Sequence, residues 1–145
     1  MTDILNNRIV LITGATGALG SGVTRVFAQT GARLALVSTS EEKLADLVDD
    51  VGLEEDRVFA AAADLTQPEE VDAVVDAVLA HFDGLNVLLN TVGGWSGGVP
   101  VHETTVGAWH RALDLNLNSA FLLSQAVLPP MLEAGWGRII NVSSK

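Results

Sequence analysis

Short apolar runs alternate with longer segments of helical periodicity along the chain. Five runs are apolar nearly throughout, at positions 8–13, 33–38, 57–62, 85–90 and 138–142. Runs of this kind are typical of parallel strands that are covered on both faces. Between them, apolar positions recur at helical spacing, most regularly at Val71, Val74, Val75, Val78, Leu79 and Phe82. The alternation predicts an α/β protein with a doubly wound parallel sheet of strand order 3-2-1-4-5.

Residues that cap helices predict where the helices begin and end. The first helix is predicted over 19–30, with Gly31 as its carboxyl cap. Ser40 is expected to cap the second helix, and positions 66–69 have the residue types of a capping box for the third. A long fourth helix is predicted from 105 to about 133.

Length, charge and composition restrict the classes of protein that fit. The 145 residues, 48% of them hydrophobic, are predicted to form a single domain over residues 1–145. The net charge of −10 argues against nucleic acid or an anionic membrane as a partner. No apolar run approaches the roughly 20 residues of a membrane span, and the amino terminus does not resemble a signal peptide. With no cysteine present and no histidine at metal-ligand spacing, we expect a cytoplasmic protein without a metal site.

A glycine-rich turn follows the first predicted strand. Gly14, Gly17 and Gly20 lie three residues apart, with Thr16 inside the turn and a helix beginning near Leu19. Glycine has no Cβ, so the backbone can approach a pyrophosphate closely, and the free N–H groups of the helix can bind its oxygens. The turn is therefore predicted to bind a dinucleotide. The alternative is a structural turn in which glycine serves packing alone.

The end of the second predicted strand bears on which dinucleotide is bound. A carboxylate there would bind the ribose hydroxyls of NAD, whereas an arginine would suit the phosphate of NADP. The sequence instead has Ser38, Thr39 and Ser40, whose hydroxyls can donate to a phosphate without repelling it. We expect NADP or NAD as the cofactor, with NADP favoured.

Four further motifs follow the glycine turn in a fixed order. They are Asp64-Leu65 after the third strand, Asn90-Thr91-Val92-Gly93 at the end of the fourth, Asn116 in the long helix, and Ile139 to Ser144 in the fifth strand. Together with the glycine turn, they resemble the motifs of the short-chain dehydrogenase/reductase family, over residues 8 to 144. The resemblance implies a Rossmann fold.

The resemblance also implies roles for particular residues. Asp64 and Leu65 would meet the adenine ring, and the cofactor would contact Asn90, Val92 and Gly93. The catalytic residues would be Asn116 and, by register with the family motif, Ser144. Two simpler interpretations stay open. Asn116 could bond the backbone of a neighbouring strand, and Asp64 could be an ordinary turn residue.

The resemblance implies a hydride-transferring oxidoreductase that acts on a small-molecule alcohol or carbonyl. The family's catalytic Tyr and Lys stand beyond the Ser, whereas this sequence has no tyrosine and ends at Lys145. We therefore expect the cofactor-binding portion of a longer subunit, with its C-terminal strands missing. The alternative is a non-catalytic dinucleotide-binding or scaffold module.

Two features of the second half of the chain concern partners. Apolar residues cover more of the surface of the long helix than packing against one neighbouring element would bury. The fifth strand would also leave an apolar edge of the sheet uncovered. We therefore predict a homo-oligomer. The loop at 93–98 is rich in glycine and contains Trp95. Trp95 could stack on a flat ring of a substrate, or it could anchor the loop.

Overall fold

A computed structural model describes residues 3–95 and 97–143, so the predicted catalytic Ser144 lies outside the described residues. Within them, five strands pair in parallel to form a sheet. The strands are β1 (Ile9–Thr13), β2 (Arg33–Ser38), β3 (Val58–Ala62), β4 (Val87–Asn90) and β5 (Arg138–Asn141). Their order in the sheet is β3-β2-β1-β4-β5, which confirms the predicted topology.

Helices cover both faces of this sheet. They are α1 (Ala18–Ala28), α2 (Glu41–Val51), α3 (Pro68–Phe82), α4 (Val106–Leu113) and α5 (Ser119–Glu133). Short 3-10 turns lie at Asp3–Leu5, Glu55–Arg57 and Val101–Glu103. The predicted long helix has the expected extent but is not uniform, because a π-helical segment, Asp114–Asn118, joins α4 to α5. No helix in the described part of the chain is long and apolar enough to cross a membrane.

The central strands β1, β2 and β4 are mostly apolar because each contributes to two hydrophobic cores. Leu11 packs in a core with α3 and α5, whereas its neighbours Val10 and Ile12 pack in a core with α1 and α2. All five residues of β1 are buried. Successive side chains point to opposite faces of a sheet, so a strand covered on both faces cannot alternate between polar and apolar residues.

Two of the predicted helix boundaries are wrong. Helix α1 ends at Ala28 with Gln29 as its carboxyl cap, and Gly31 does not serve as the cap. Gly31 instead packs against Asn6, where a Cβ would overlap the Asn6 side chain. The predicted capping box is not formed, because the Thr66 hydroxyl donates to Asp64. In contrast, Ser40 caps α2 as predicted, since its side chain accepts a hydrogen bond from the N–H of Lys43.

Gly20 is expected to be essential for packing α1 beneath the glycine turn. A Cβ at Gly20 would overlap the Gly14 carbonyl oxygen and lie 2.9 Å from the Cα of Ala15. Gly20→Ala should therefore lower the free energy of unfolding by about 1–3 kcal/mol, the usual cost of overpacking. Urea unfolding monitored by circular dichroism measures this change.

Gly22→Ala in the same helix is the matched control. A Cβ at Gly22 meets no atom within 4 Å. Because glycine is a poor helix former, this variant should gain about 0.5–1 kcal/mol. Equal effects of the two substitutions would contradict the described packing.

Candidate functional site

A cleft of about 270 Å³ opens at the carboxyl edge of the sheet, and we call it the first cleft. Its residues come from the segments that follow β1, β2, β3 and β4, and from the π-helical segment. They are Gly14, Thr16, Gly17, Ser38, Thr39, Ala63, Asp64, Leu65, Thr66, Thr91, Val92, Gly93 and Leu115. Chain order reverses between β1 and β4, and open α/β sheets bind ligands at such a switch point.

The glycine turn forms one wall of the first cleft. Gly14 has a φ of +68°, a left-handed conformation that favours glycine, and a Cβ there would lie 2.9 Å from the Thr91 hydroxyl oxygen. The Gly17 N–H donates to the Gly14 carbonyl at 3.0 Å, which closes the turn. Gly17 is the amino cap of α1 and has no side chain that could bond the first N–H groups of the helix.

The end of β2 contributes hydroxyl groups to the first cleft. The Ser38 hydroxyl forms a hydrogen bond with the hydroxyl of Thr16. Thr39 follows and is exposed. Positions 38–40 carry hydroxyl groups and no carboxylate, so this end of β2 is itself neutral.

Asp64 lies in the turn after β3 and faces the first cleft. Its Oδ1 accepts hydrogen bonds from the Thr66 hydroxyl at 2.7 Å and from the Thr66 N–H at 3.0 Å. These bonds, the hydroxyl first, lower the pKa of the Asp64 carboxyl below its ordinary value of 3.8. Asp64 thus stabilises the turn, as the simpler interpretation required, and it also presents a negative charge at the cleft.

Asn90 lies behind the cleft wall rather than in it. Its side chain is buried, and its Oδ1 accepts from the Thr13 hydroxyl at 2.7 Å and from the Val92 N–H at 3.1 Å. Its Nδ2 donates to Oδ1 of Asn141 at 3.2 Å. Asn90 therefore positions the segment that carries Val92 and Gly93.

Asn116 lies in the π-helical segment, and its side chain forms hydrogen bonds with the loop that follows β4. Its Oδ1 accepts from the Gly94 N–H at 2.9 Å, and its Nδ2 donates to the carbonyls of Gly94 at 3.0 Å and Ala112 at 2.9 Å. The side chain thus bonds backbone, as the simpler interpretation predicted, although its partners lie in a loop and on its own helix rather than in a strand.

The first cleft brings together most of the residues predicted to bind a cofactor. Leu19, Gly20 and Asn90 are outside its lining: Leu19 is half exposed on α1, and the other two are buried. The sequence analysis missed Ala63, Thr66, Thr91 and Leu115, each of which adjoins a predicted residue. Among the described residues, no cluster of three His, Cys, Asp or Glu side chains is placed to bind a metal.

Two curated proteins with similar sequences are named as dehydrogenases. NADP-dependent 3-hydroxy acid dehydrogenase YdfG of Shigella flexneri is 32% identical over 94% of the chain. D-threitol dehydrogenase of Mycolicibacterium smegmatis is 33% identical over 97% of the chain. The chain spans only 54% of the length of each of these relatives.

Solved structures and a family model lead to the same assignment. A metagenomic short-chain oxidoreductase in complex with NADP matches 97% of the chain with a TM-score of 0.91 and 30% identity, and the chain covers 64% of it. The crystal structure of gox2181 matches the same share with a TM-score of 0.91 and 29% identity, and 55% of it is covered. The family model described as short chain dehydrogenase matches residues 8–145. This chain belongs to the short-chain dehydrogenase/reductase family.

Proposed function

We propose that this chain is the cofactor-binding portion of an oxidoreductase that transfers hydride between NADP and a small-molecule alcohol or carbonyl. The observation that supports this most is the first cleft, where the family's cofactor motifs converge at the carboxyl edge of the sheet. The names of YdfG, which is NADP-dependent, and of the metagenomic oxidoreductase, solved with NADP, support the choice of dinucleotide.

The residues of the first cleft fit a dinucleotide in order along its length. Gly14 and Gly17 leave the backbone open to the pyrophosphate, and the N–H groups at the start of α1 would bind its oxygens. Asp64 and Leu65 would contact the adenine, while Val92 and Gly93 would lie beside the nicotinamide. When bound, the nicotinamide supplies or accepts the hydride.

The neutral end of β2 supports NADP over NAD. A carboxylate at this position would favour the ribose hydroxyls of NAD and repel a phosphate. Ser38 and Thr39 instead offer hydroxyl donors at the first cleft. We therefore assign to them the ribose phosphate of NADP.

Catalytic roles for Asn116 and Ser144 stay predictions from the family resemblance. Among the described residues, the Asn116 side chain bonds the backbone of Gly94 and Ala112. We propose that Asn116 is a positioning residue that fixes the loop beside the first cleft.

We also propose that the protein is a cytoplasmic homo-oligomer. Large apolar side chains are exposed on the helices after β4, including Trp109, Leu117, Phe121 and Leu132. Ile140 and Val142 are about half exposed at the sheet edge formed by β5. Apolar surface of this kind favours association, and the cytoplasmic location rests on the absence of cysteine.

Thr39→Asp should reverse the preference between the two dinucleotides. A carboxylate at this exposed position would repel the ribose phosphate of NADP and could accept from the ribose hydroxyls of NAD. We expect NADPH to bind at least about tenfold more weakly, a loss of about 1.4 kcal/mol, whereas NADH binding is kept or improved. Calorimetric titration of both dinucleotides measures the change.

Thr104→Asp is the control, because Thr104 is an exposed threonine outside the first cleft. Equal weakening of NADPH and NADH binding in Thr39→Asp would refute the assignment.

Thr66→Val should raise the pKa of Asp64 toward 3.8, because it removes the hydroxyl that contributes most to the lowering. Since the folded-state pKa is lowered, the stability due to Asp64 is present above 3.8 and is lost as pH falls through the folded-state value. In Thr66→Val the folded-state pKa lies closer to 3.8, so this stability should be smaller and its loss should be complete at a higher pH. Carboxyl ¹³C NMR titration measures the pKa. Thr66→Ser keeps the hydroxyl and should behave as the parent chain, so an unchanged Asp64 pKa in Thr66→Val would contradict this bonding.

A further inference from the structure

A second cleft of about 250 Å³ lies next to the first cleft. Its lining is formed by the loop after β4, helix α4 and the π-helical segment, through Gly94, Trp95, Ala108, Arg111, Ala112, Leu115 and Asn116. Leu115 lines both clefts, and Gly94 directly follows Gly93 of the first cleft. A molecule in the second cleft would therefore lie beside whatever occupies the first cleft at Gly93.

The charge of the second cleft is unusual for this chain. The chain has 18 acidic and 8 basic residues, yet Arg111 is the charged residue of this lining and no acidic residue joins it. The ion pairs found among the described residues join Arg25 to Asp50 and His102 to Glu103, and they leave out Arg111. Asp114, three residues further along the chain, accepts a hydrogen bond from the Asn118 side chain. The guanidinium of Arg111 can therefore bind an anion from solution.

The rest of the lining suits a ligand in which the anionic group is attached to a short apolar carbon chain. Trp95 is 88% exposed, and its ring lies against the backbone of Gly97, where a Cβ would overlap it. Ala108 and Ala112 are small residues of the same lining, so they leave room in front of the helix. Asn116 bonds both backbone groups of Gly94 and so fixes the residue that precedes Trp95.

We propose that the second cleft binds the carboxylate of the substrate, and that Arg111 is the residue that selects it. This inference rests on the proposed function, because it names the substrate as a small hydroxy or oxo acid. The planar guanidinium can bind a carboxylate through two parallel hydrogen bonds, which lysine cannot do. The carbon chain of the acid would then pass Leu115 toward Gly93. The name of the relative YdfG, a 3-hydroxy acid dehydrogenase, fits this substrate class.

Binding of 3-hydroxybutyrate, measured by NMR with and without saturating NADP, tests the proposal. The signals to follow are the indole N–H of Trp95 and the guanidinium Nε–H of Arg111. We expect saturable shifts of both with 3-hydroxybutyrate, and at least about tenfold weaker binding of its methyl ester, which lacks the charge. Arg111→Ala should weaken acid binding by a similar factor, and Arg111→Lys should restore only part of it.

Arg138→Ala is the matched control, because Arg138 is also exposed beside a tryptophan, with its guanidinium 4.9 Å from the ring centroid of Trp136. It should leave acid binding unchanged. Equal affinity for acid and ester, equal affinity for inorganic phosphate, or no effect of Arg111→Ala would each overturn the proposal. The NADP titration of the same samples separates the two claims: failure of NADP to bind refutes the proposed function, whereas failure of the acid in both titrations refutes only the role of Arg111.

Discussion

The buried side chain of Asn90 joins three neighbouring strands at the sheet edge where the first cleft opens. It bonds Thr13 of β1 and Asn141 of β5, which are its register partners in the two flanking strands. An unsatisfied buried amide costs about 1–3 kcal/mol, so these bonds stabilise one register over its alternatives. The same amide accepts from the Val92 N–H. Asn90 thus positions the start of the loop after β4, which leads to Gly93 and to Gly94, where Asn116 holds the backbone.

The sequence was sufficient to predict the sheet because burial on both faces leaves a local signal. A run such as 9–13 is apolar at every position but the last, as expected for a short strand that is buried on both faces. Helix ends were less predictable because they depend on competition between partners. The Thr66 hydroxyl could cap α3 or bond Asp64, and only the fold shows that it bonds Asp64. Glycine is the residue type expected at a carboxyl cap, but Gly31 packs against the side chain of Asn6 instead. Asn6 lies far from Gly31 in the sequence, so this contact could not be predicted from the local pattern.

Residues of the first cleft could be predicted where they belong to a motif of consecutive residues, as Gly14, Ser38 and Asp64 do. Leu115 was missed because its position depends on the π-helical segment. A π turn holds more residues than an α turn, so it changes which side chains face the loop after β4. The sequence from 105 to 133 shows no break that would reveal this segment. For the same reason, the juxtaposition of Trp95 with Arg111 emerged only from the structure.

Amide chemical-shift mapping of the ¹⁵N-labelled chain during titration with NADP tests the central claim most directly, namely that the first cleft binds the dinucleotide along the carboxyl edge of the sheet. The account predicts saturable shifts at Gly14, Gly17, Leu65 and Gly93, which lie on three separate segments and meet in the first cleft. Saturable shifts that cluster elsewhere, or no saturable shifts at millimolar NADP, would contradict it.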